Sequence, residues 1–243
     1  MIHSRGIVEP MNIHAYKISG VNGPGKRFTL WTQGCSKGCV NCFNPETWNN
    51  KTNIALSAIE IFELIKDFEL EGVTITGGDP FEQEEELLEL LILINGLDLP
   101  KGVIVFSGFT YDEIRENKIR EKCCSYIDVL IDGRYEDKNR VTDSFKGSSN
   151  QNIIYFSSKI KEEELIMDQE VEVSLVDNVI SVTGFPSIDK KFLREFGIKV
   201  KWAVDIIYIP VKDINEKIFW GGKDDEEKQN VIWCFDRLCF LFL

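Results

Sequence analysis

The chain has 243 residues, of which 43% are hydrophobic and 28% charged. That is the make-up of a globular protein able to bury a core, as one large domain or one domain with a small appendage. Its formal charge of −12 argues against a nucleic-acid partner or an anionic membrane, both of which call for a basic surface.

The opening "MIHSRGIVEP" lacks the apolar stretch of a signal peptide, and nothing before the last residues reads as membrane-spanning, so a cytoplasmic location is the default expectation. "NIHAYK" (12–17) has strand character, and "SGVNGPGKR" (19–27) is a turn-rich loop. "RFTLWTQ" (27–33) alternates apolar and polar residues as a strand does, and it leads directly into "CSKGCVNCFNPETW" (35–48). Ser57 and Glu60 form a capping-box pattern, and behind them Ile59, Phe62, Ile65 and Phe68 are expected to mark the buried face of a helix. "GVTIT" (72–76), "GVIVFSG" (102–108) and "YIDVLIDG" (126–133) read as buried strands. Helical patterns over 82–94 and around 111–116 lie between them. Strands alternating with helices indicate a parallel α/β sheet or partial barrel with helices outside. Loops at the C-terminal ends of such strands build the active site. The cysteine run, "GGDP", "SGFT" and "IDGRY" are all expected at those ends, on one rim.

After about residue 157 the composition changes. "SKIKEEELIMDQE" (158–170) is charged, and "VEVSLVDNVISVTGF" (171–185) reads as a hairpin turning at Asp177-Asn178. "SIDKKFLREFG" (187–197) reads as a short helix, "GGKDDEEKQN" (221–230) as a solvated linker. The final "VIWCFDRLCFLFL" is too short to cross a bilayer and is expected to dock on the protein's own core.

Of the seven cysteines, Cys35, Cys39 and Cys42 cluster at spacings x3 and x2. In a reducing compartment that clustering points to metal chemistry or catalysis. A structural zinc site closes with four protein ligands. Here the fourth would have to come from His3, His14, Cys123, Cys124, Cys234 or Cys239, all distant in sequence. Three thiolates on a tight loop suit a 4Fe–4S cluster with one iron left open to a reacting molecule. Cys123-Cys124 precedes a buried strand, where small apolar residues are usual, and adjacent cysteines make poor joint ligands.

Cys35-x3-Cys39-x2-Cys42 resembles the cluster motif of the radical S-adenosylmethionine enzymes. The longer "NGPGKRFTLWTQGCSKGCVNCFNPETW", with "TGGDP", "FSGFT", "DVLIDGRY" and "FKGSSNQNII" in order, resembles the activating proteins of anaerobic ribonucleotide reductase. The likeness runs from about residue 12 to 156. It implies an incomplete, partial TIM-like parallel βα barrel over residues 1–157; it does not cover 158–243, which the patterns above mark as a small α+β appendage. It also implies a 4Fe–4S cluster on Cys35, Cys39 and Cys42 whose open iron binds S-adenosylmethionine. One-electron reductive cleavage of that molecule gives a 5′-deoxyadenosyl radical, which takes a hydrogen atom from a glycine of a partner glycyl radical enzyme. A peptide or small-molecule substrate is the alternative, and a non-enzymatic metal-stabilised module a third reading. The electron donor implied is a flavodoxin or ferredoxin.

By the same resemblance Gly77, Gly78 and Asp79 receive the methionine amino group, and two glycines let a backbone approach a ligand closely. Taken alone, Gly-Gly-Asp-Pro is also an ordinary strand-to-helix turn. Asn41 and Phe43 match positions lining the adenosine, Phe43 being equally readable as a core anchor for its loop. Ser107 with Gly108, and Asp132 with Gly133, match strand ends framing nucleoside and methionine, with turn-capping as the plain reading of Asp132. Arg27, Asn150 and Gln151 lie in resembling strings as either functional or structural hydrogen-bonders.

Overall fold

The computed structural model describes residues 9–166 in full, and beyond them the backbone of five strands between Val171 and Leu241. The first body is a seven-stranded mixed sheet with helices. In chain order its elements are β1 (Met11–Ser19), β2 (Arg27–Thr32), β3 (Ile54–Leu56), α1 (Ala58–Lys66), β4 (Gly72–Gly77), α2 (Glu84–Ile94) and β5 (Val103–Phe106). They continue with α3 (Tyr111–Arg115), α4 (Lys118–Cys123), β6 (Val129–Asp132) and β7 (Asn152–Tyr155). The spatial order is β3-β1-β2-β4-β5-β6-β7. The central β2, β4, β5 and β6 are parallel, with β1 antiparallel to β2 and β7 antiparallel to β6. The expected α/β class with a parallel centre is therefore present.

The side-chain alternation of each strand splits the apolar residues between two faces. Phe28, Leu30, Val73, Ile75, Val103, Val105 and Leu130 join the large core with α1, α2 and α4. Ile104, Val129 and Ile131 point the other way, onto Phe145, Ile160 and Leu165. Each fully buried Leu or Ile contributes roughly 1.5–3 kcal/mol. All six residues of β2 are buried, because both faces of a central parallel strand are covered.

The second, smaller core extends past the composition change. Phe145 N donates to Leu165 O, Ser144 bridges Ile166, and Lys101 pairs with Glu164. The charged segment after residue 157 thus packs on the first sheet as far as Ile166 through its few apolar side chains.

Helix α1 starts at the expected capping box of Ser57 and Glu60. Its buried face is Ala58, Ile61 and Ile65, while Ile59 and Phe68 are 59% and 52% exposed. The expected stripe at steps of three is corrected by geometry: at 3.6 residues per turn such a stripe drifts around the helix and turns Ile59 outward, while Phe68 lies beyond the last helical residue, Lys66.

Arg27, the first residue of β2, lies wholly buried at the N-terminal ends of the parallel strands. Its Nε donates to Thr74 Oγ1 (2.8 Å), Nη2 to the carbonyls of Val73 (2.7 Å) and Gly102 (2.9 Å), and Nη1 to those of Pro24 and Lys101 (both 3.0 Å). Burial pushes its pKa down to about 9, still above neutrality, so the guanidinium remains a cation with its donors satisfied. Its role here is structural.

The second sheet has the order β10-β9-β8-β12-β11. Its strands are β8 (Val171–Val176), β9 (Val179–Gly184), β10 (Ile206–Ile207), β11 (Ile232–Phe235) and β12 (Leu238–Leu241). β8 and β9 form the expected antiparallel pair. The apolar tail supplies β11 and β12, and β12 runs parallel to β8, so these residues complete a sheet. The helix expected over 187–197 and the linker over 221–230 lie outside the described residues, as do Asp177 and Asn178.

Candidate metal centre

The cysteine loop leaves the C-terminal end of β2 and is tied down on both flanks. Gly34 N donates to Thr47 O (2.7 Å), Cys35 N to Trp48 O (3.1 Å) and Cys42 N to Cys39 O (3.1 Å). Gln33 Nε2 reaches back to Glu46 O (3.1 Å) and Asn49 O (2.7 Å). These bonds hold Cys35, Cys39 and Cys42 on one half-buried ledge as free thiols. Burial pushes the Cys35 thiol up to about 11, with contributions from Asp79, Glu82 and Cys42. Cys42 is also raised, by burial first, and Cys39 acts on it. The three sulfurs therefore share one electrostatic neighbourhood. A closely spaced thiol set on a loop fits the donors of an iron–sulfur cluster, whose iron must displace the thiol protons.

Three other strand ends meet this ledge, as the sequence leads one to expect. Gly78 N donates to Thr32 O and Asp79 N to Gly34 O, both at 2.8 Å. Gly77 has φ +97°, and a Cβ on Gly78 would stand 2.2 Å from Gly34 O. Here the two glycines allow backbone to meet backbone: the turn after β4 seats against the base of the cysteine loop. Asp79 is fully buried. It accepts from Ser107 Oγ (2.9 Å), Gly108 N (3.0 Å) and Phe81 N (3.1 Å). Burial pushes its carboxyl up to about 6, opposed by Ser107 and by the charge of Lys37.

Ser107 joins the turns after β4 and β5 through that hydrogen bond, and it accepts from Phe109 N (3.0 Å). Asp132, at the end of β6, accepts from Tyr111 N (2.6 Å), Asn152 N (3.2 Å) and Asn152 Nδ2 (2.8 Å). Its oxygens are thus committed to capping α3 and fixing β7. Asn150 and Gln151 bond to the carbonyls of Arg134 (2.8 Å) and Gly133 (2.7 Å), holding the loop after β6. Asn41 has φ +55°. Its Nδ2 donates to Asp137 Oδ2 at 2.7 Å. The Phe43 ring tilts on Tyr135 with centroids 4.9 Å apart, and Arg140 lies 5.2 Å over Phe43. Tyr135 OH donates to Asp137 Oδ1 (2.8 Å).

Several contacts of the ledge are not evident from the sequence motifs. Glu82 accepts from Ser36 N (2.8 Å) and Ser36 Oγ (2.5 Å) and faces Lys37. Its oxygen, one of Asp79 and the Cys35 sulfur all lie within 4.8 Å of one another. The legible signal was Asp79-Pro80, a helix-start pattern that places Glu82 one turn later. Tyr135, Asp137 and Arg140 reach the ledge from a loop almost a hundred residues away, for which local spacing gives no sign. Cys123 and Cys124 are buried in the helix-side core. Burial holds their thiols up at about 12 and 11, as expected of packing residues.

The converging strand ends and the three-cysteine loop bring thiol donors suited to an iron–sulfur cluster to one rim. A family profile described as a 4Fe-4S single cluster domain matches residues 21–154. The chain belongs to the family of anaerobic ribonucleoside-triphosphate reductase-activating proteins. The activating protein of Enterobacteria phage T4 is 30% identical over 143 residues, covering 57% of this chain and 89% of the relative. That of Pasteurella multocida is 32% identical over 154 residues (60% and 97%), and that of Escherichia coli K12 31% over 150 residues (58% and 96%). QueE from Escherichia coli is similar at a TM-score of 0.31 and 22% identity, over 42% of this chain and 53% of that one. A score that low defines no common fold. No helix among the described residues is long and apolar enough to cross a membrane.

Proposed function

We propose that this protein is a radical S-adenosylmethionine activase that generates a glycyl radical on a partner enzyme of the anaerobic ribonucleotide reductase type. The observation that carries this is the ledge itself. Three half-buried thiols of one short loop sit at the C-terminal ends of parallel strands, and the base of that loop is bonded through Gly34 O to the turn that follows β4 and, through Asp79, tied to the turn after β5. Family membership supplies the target, because the relatives are named for activating anaerobic ribonucleoside-triphosphate reductase.

Cys35, Cys39 and Cys42 would hold the cluster, which when bound supplies the electron that cleaves S-adenosylmethionine to methionine and a 5′-deoxyadenosyl radical. A flavodoxin or ferredoxin suits the delivery of that electron. The chain's own residues orient and enclose. Backbone groups of Gly77 and Gly78, beside Asp79, are assigned to the methionine amino group. Asn41 and Phe43 are assigned to the adenosine, with Tyr135 extending the aromatic surface. Ser107 and Asp132 shape the two remaining turns as second-layer supports, since their polar atoms already serve Asp79, Phe109, Tyr111 and Asn152. Turns linked in this way would shield a reactive radical from water.

The β2–β6 core is assigned to an incomplete barrel, and residues beyond Ile166 to a separate appendage. A second reading, modification of a peptide or small molecule, draws on that appendage. The relatives are matched over 89% or more of their own length yet over no more than 60% of this chain, leaving the second sheet as additional material for recognition. The two are separated by anaerobic reconstitution followed by dithionite, S-adenosylmethionine and an anaerobic ribonucleotide reductase. Deoxyadenosine with a glycyl doublet in the reductase spectrum is the expected result. Deoxyadenosine without the doublet favours the second reading, and neither product contradicts both.

A further inference from the structure

The buried cation on the cysteine loop has no place in the assignments above. Lys37 stands between Cys35 and Cys39, yet its side chain is only 7% exposed. Its Nζ lies 3.2 Å from the centroid of the Phe109 ring and 3.5 Å from Glu82 Oε1. The same ring also meets Arg120, whose Cζ is 4.1 Å from its centroid and which pairs with Glu84 at 3.1 Å. The stem of Lys37 runs against Gly108, where a Cβ would meet Lys37 Cγ at 2.9 Å. An ammonium gives up much hydration to sit in such a place, and a surface lysine with a flexible stem has no need to.

Its surroundings supply a reason. Glu82, Asp79 and the Cys35 sulfur converge within 4.8 Å. Three thiolates and two carboxylates would oppose adding an electron to any group held between them. A fixed positive charge in a water-poor pocket offsets that field more strongly than the same charge in solvent. We infer that Lys37 and Glu82 form an electrostatic pair that sets the reduction potential of the cluster, the ammonium easing one-electron reduction and the carboxylate opposing it, while the contacts with Phe109 and Gly108 keep the ammonium in place.

The inference rests on the proposed cluster but not on S-adenosylmethionine cleavage. Reduction here is the transfer of one electron from an external one-electron reductant, with no bond made or broken and no proton moved. Lys37 is a positioning residue: it acts on the cluster through space and supplies no ligand.

The test is a redox titration of the reconstituted full-length protein with dithionite, without S-adenosylmethionine, followed by electron paramagnetic resonance of the reduced cluster. Lys37→Met keeps the length of the side chain and removes its charge. It is expected to lower the midpoint, with the reduced-to-oxidised ratio at the wild-type midpoint falling about tenfold. Glu82→Gln retains an acceptor for the Ser36 amide and is expected to shift the midpoint the opposite way. Opposite shifts at full iron content establish the pair, because mere loosening of the loop moves both variants alike. An unchanged midpoint in Lys37→Met, or shifts of one sign in both variants, overturns it. Should Lys37→Met take up no iron, Glu82→Gln decides alone: a raised midpoint supports the pair, and an unchanged or lowered one refutes it. A variant set that titrates as expected but forms no deoxyadenosine would retain this inference and sink the proposed reaction.

Discussion

At one end of the parallel strands the Arg27 guanidinium is fully buried and donates to Thr74 and to the carbonyls of Pro24, Val73, Lys101 and Gly102. At the other end, three thiols stand half-exposed with no disulfide. The same ladder carries both. The N-terminal rim spends its polar groups on one another and is closed, whereas the C-terminal rim uses its glycines and carboxylates to hold a loop whose own donor atoms stay available. The buried charges of both rims are satisfied by protein; what sets the second apart is a loop of three half-buried thiols in no disulfide.

Substitutions at the two rims should separate stability from chemistry. The largest effect is expected from Cys39→Ala: complete loss of reconstituted 4Fe–4S absorbance and of deoxyadenosine, with the unfolding midpoint of the metal-free protein unchanged. Retained cleavage would contradict the ledge. Arg27→Met should do the reverse. It removes the five hydrogen bonds that Arg27 donates to Thr74 Oγ1 and to four carbonyls, and should cost about 3 kcal/mol in urea unfolding, while the fraction that folds still takes up iron. A loss below about 1 kcal/mol would mean that the closed rim is not what locks the sheet.

Smaller effects sharpen the contrast within the open rim. Asp137 joins Asn41 to Tyr135 from an exposed position, so Asp137→Ala should leave folding intact. Iron release to a chelator should accelerate about twofold to fivefold. An unchanged release rate would remove the loop after β6 from the account. The smallest effect concerns Glu113, partly buried at the start of α3. Hydrogen bonding from the Thr110 amide, then Arg134, lowers its pKa below the ordinary 4.5. Because the folded value lies below the unfolded one, its contribution is present above pH 4.5 and lost as pH falls through the folded value. Glu113→Gln should therefore flatten the acid limb of the stability profile slightly and leave the neutral region alone.

The legibility of this protein follows the range of its interactions. β2, β4, β5 and β6, the Ser57 cap and the Cys35–Cys42 loop are written in short, local patterns of alternation, capping and spacing, and all emerge where those patterns put them. The convergence of "GGDP", "SGFT" and "IDGRY" was readable too, since strand polarity alone sends the ends of parallel strands to one side. The roles inside the rim were less so. Asp79 and Asp132 are chemically suited to a ligand, yet the structure spends their oxygens on Ser107, Gly108, Tyr111 and Asn152, because a buried carboxylate must find donors wherever the chain brings them. Arg27, Lys37, Glu82 and Asp137 acquire their meaning only from partners tens of residues away. Ile59 was misplaced on α1 because apolar identity at a step of three is a weaker guide than the angle it subtends, and Phe68 because the helix ends at Lys66 before reaching it.

The most direct test is Mössbauer spectroscopy of the protein reconstituted anaerobically with 57Fe, recorded before and after S-adenosylmethionine is added. The account predicts about four irons per chain, one of which changes its isomer shift when the amino acid end of that molecule binds. A spectrum indifferent to S-adenosylmethionine, with every iron already ligated by the protein, would contradict an open coordination site and the activase chemistry built on it.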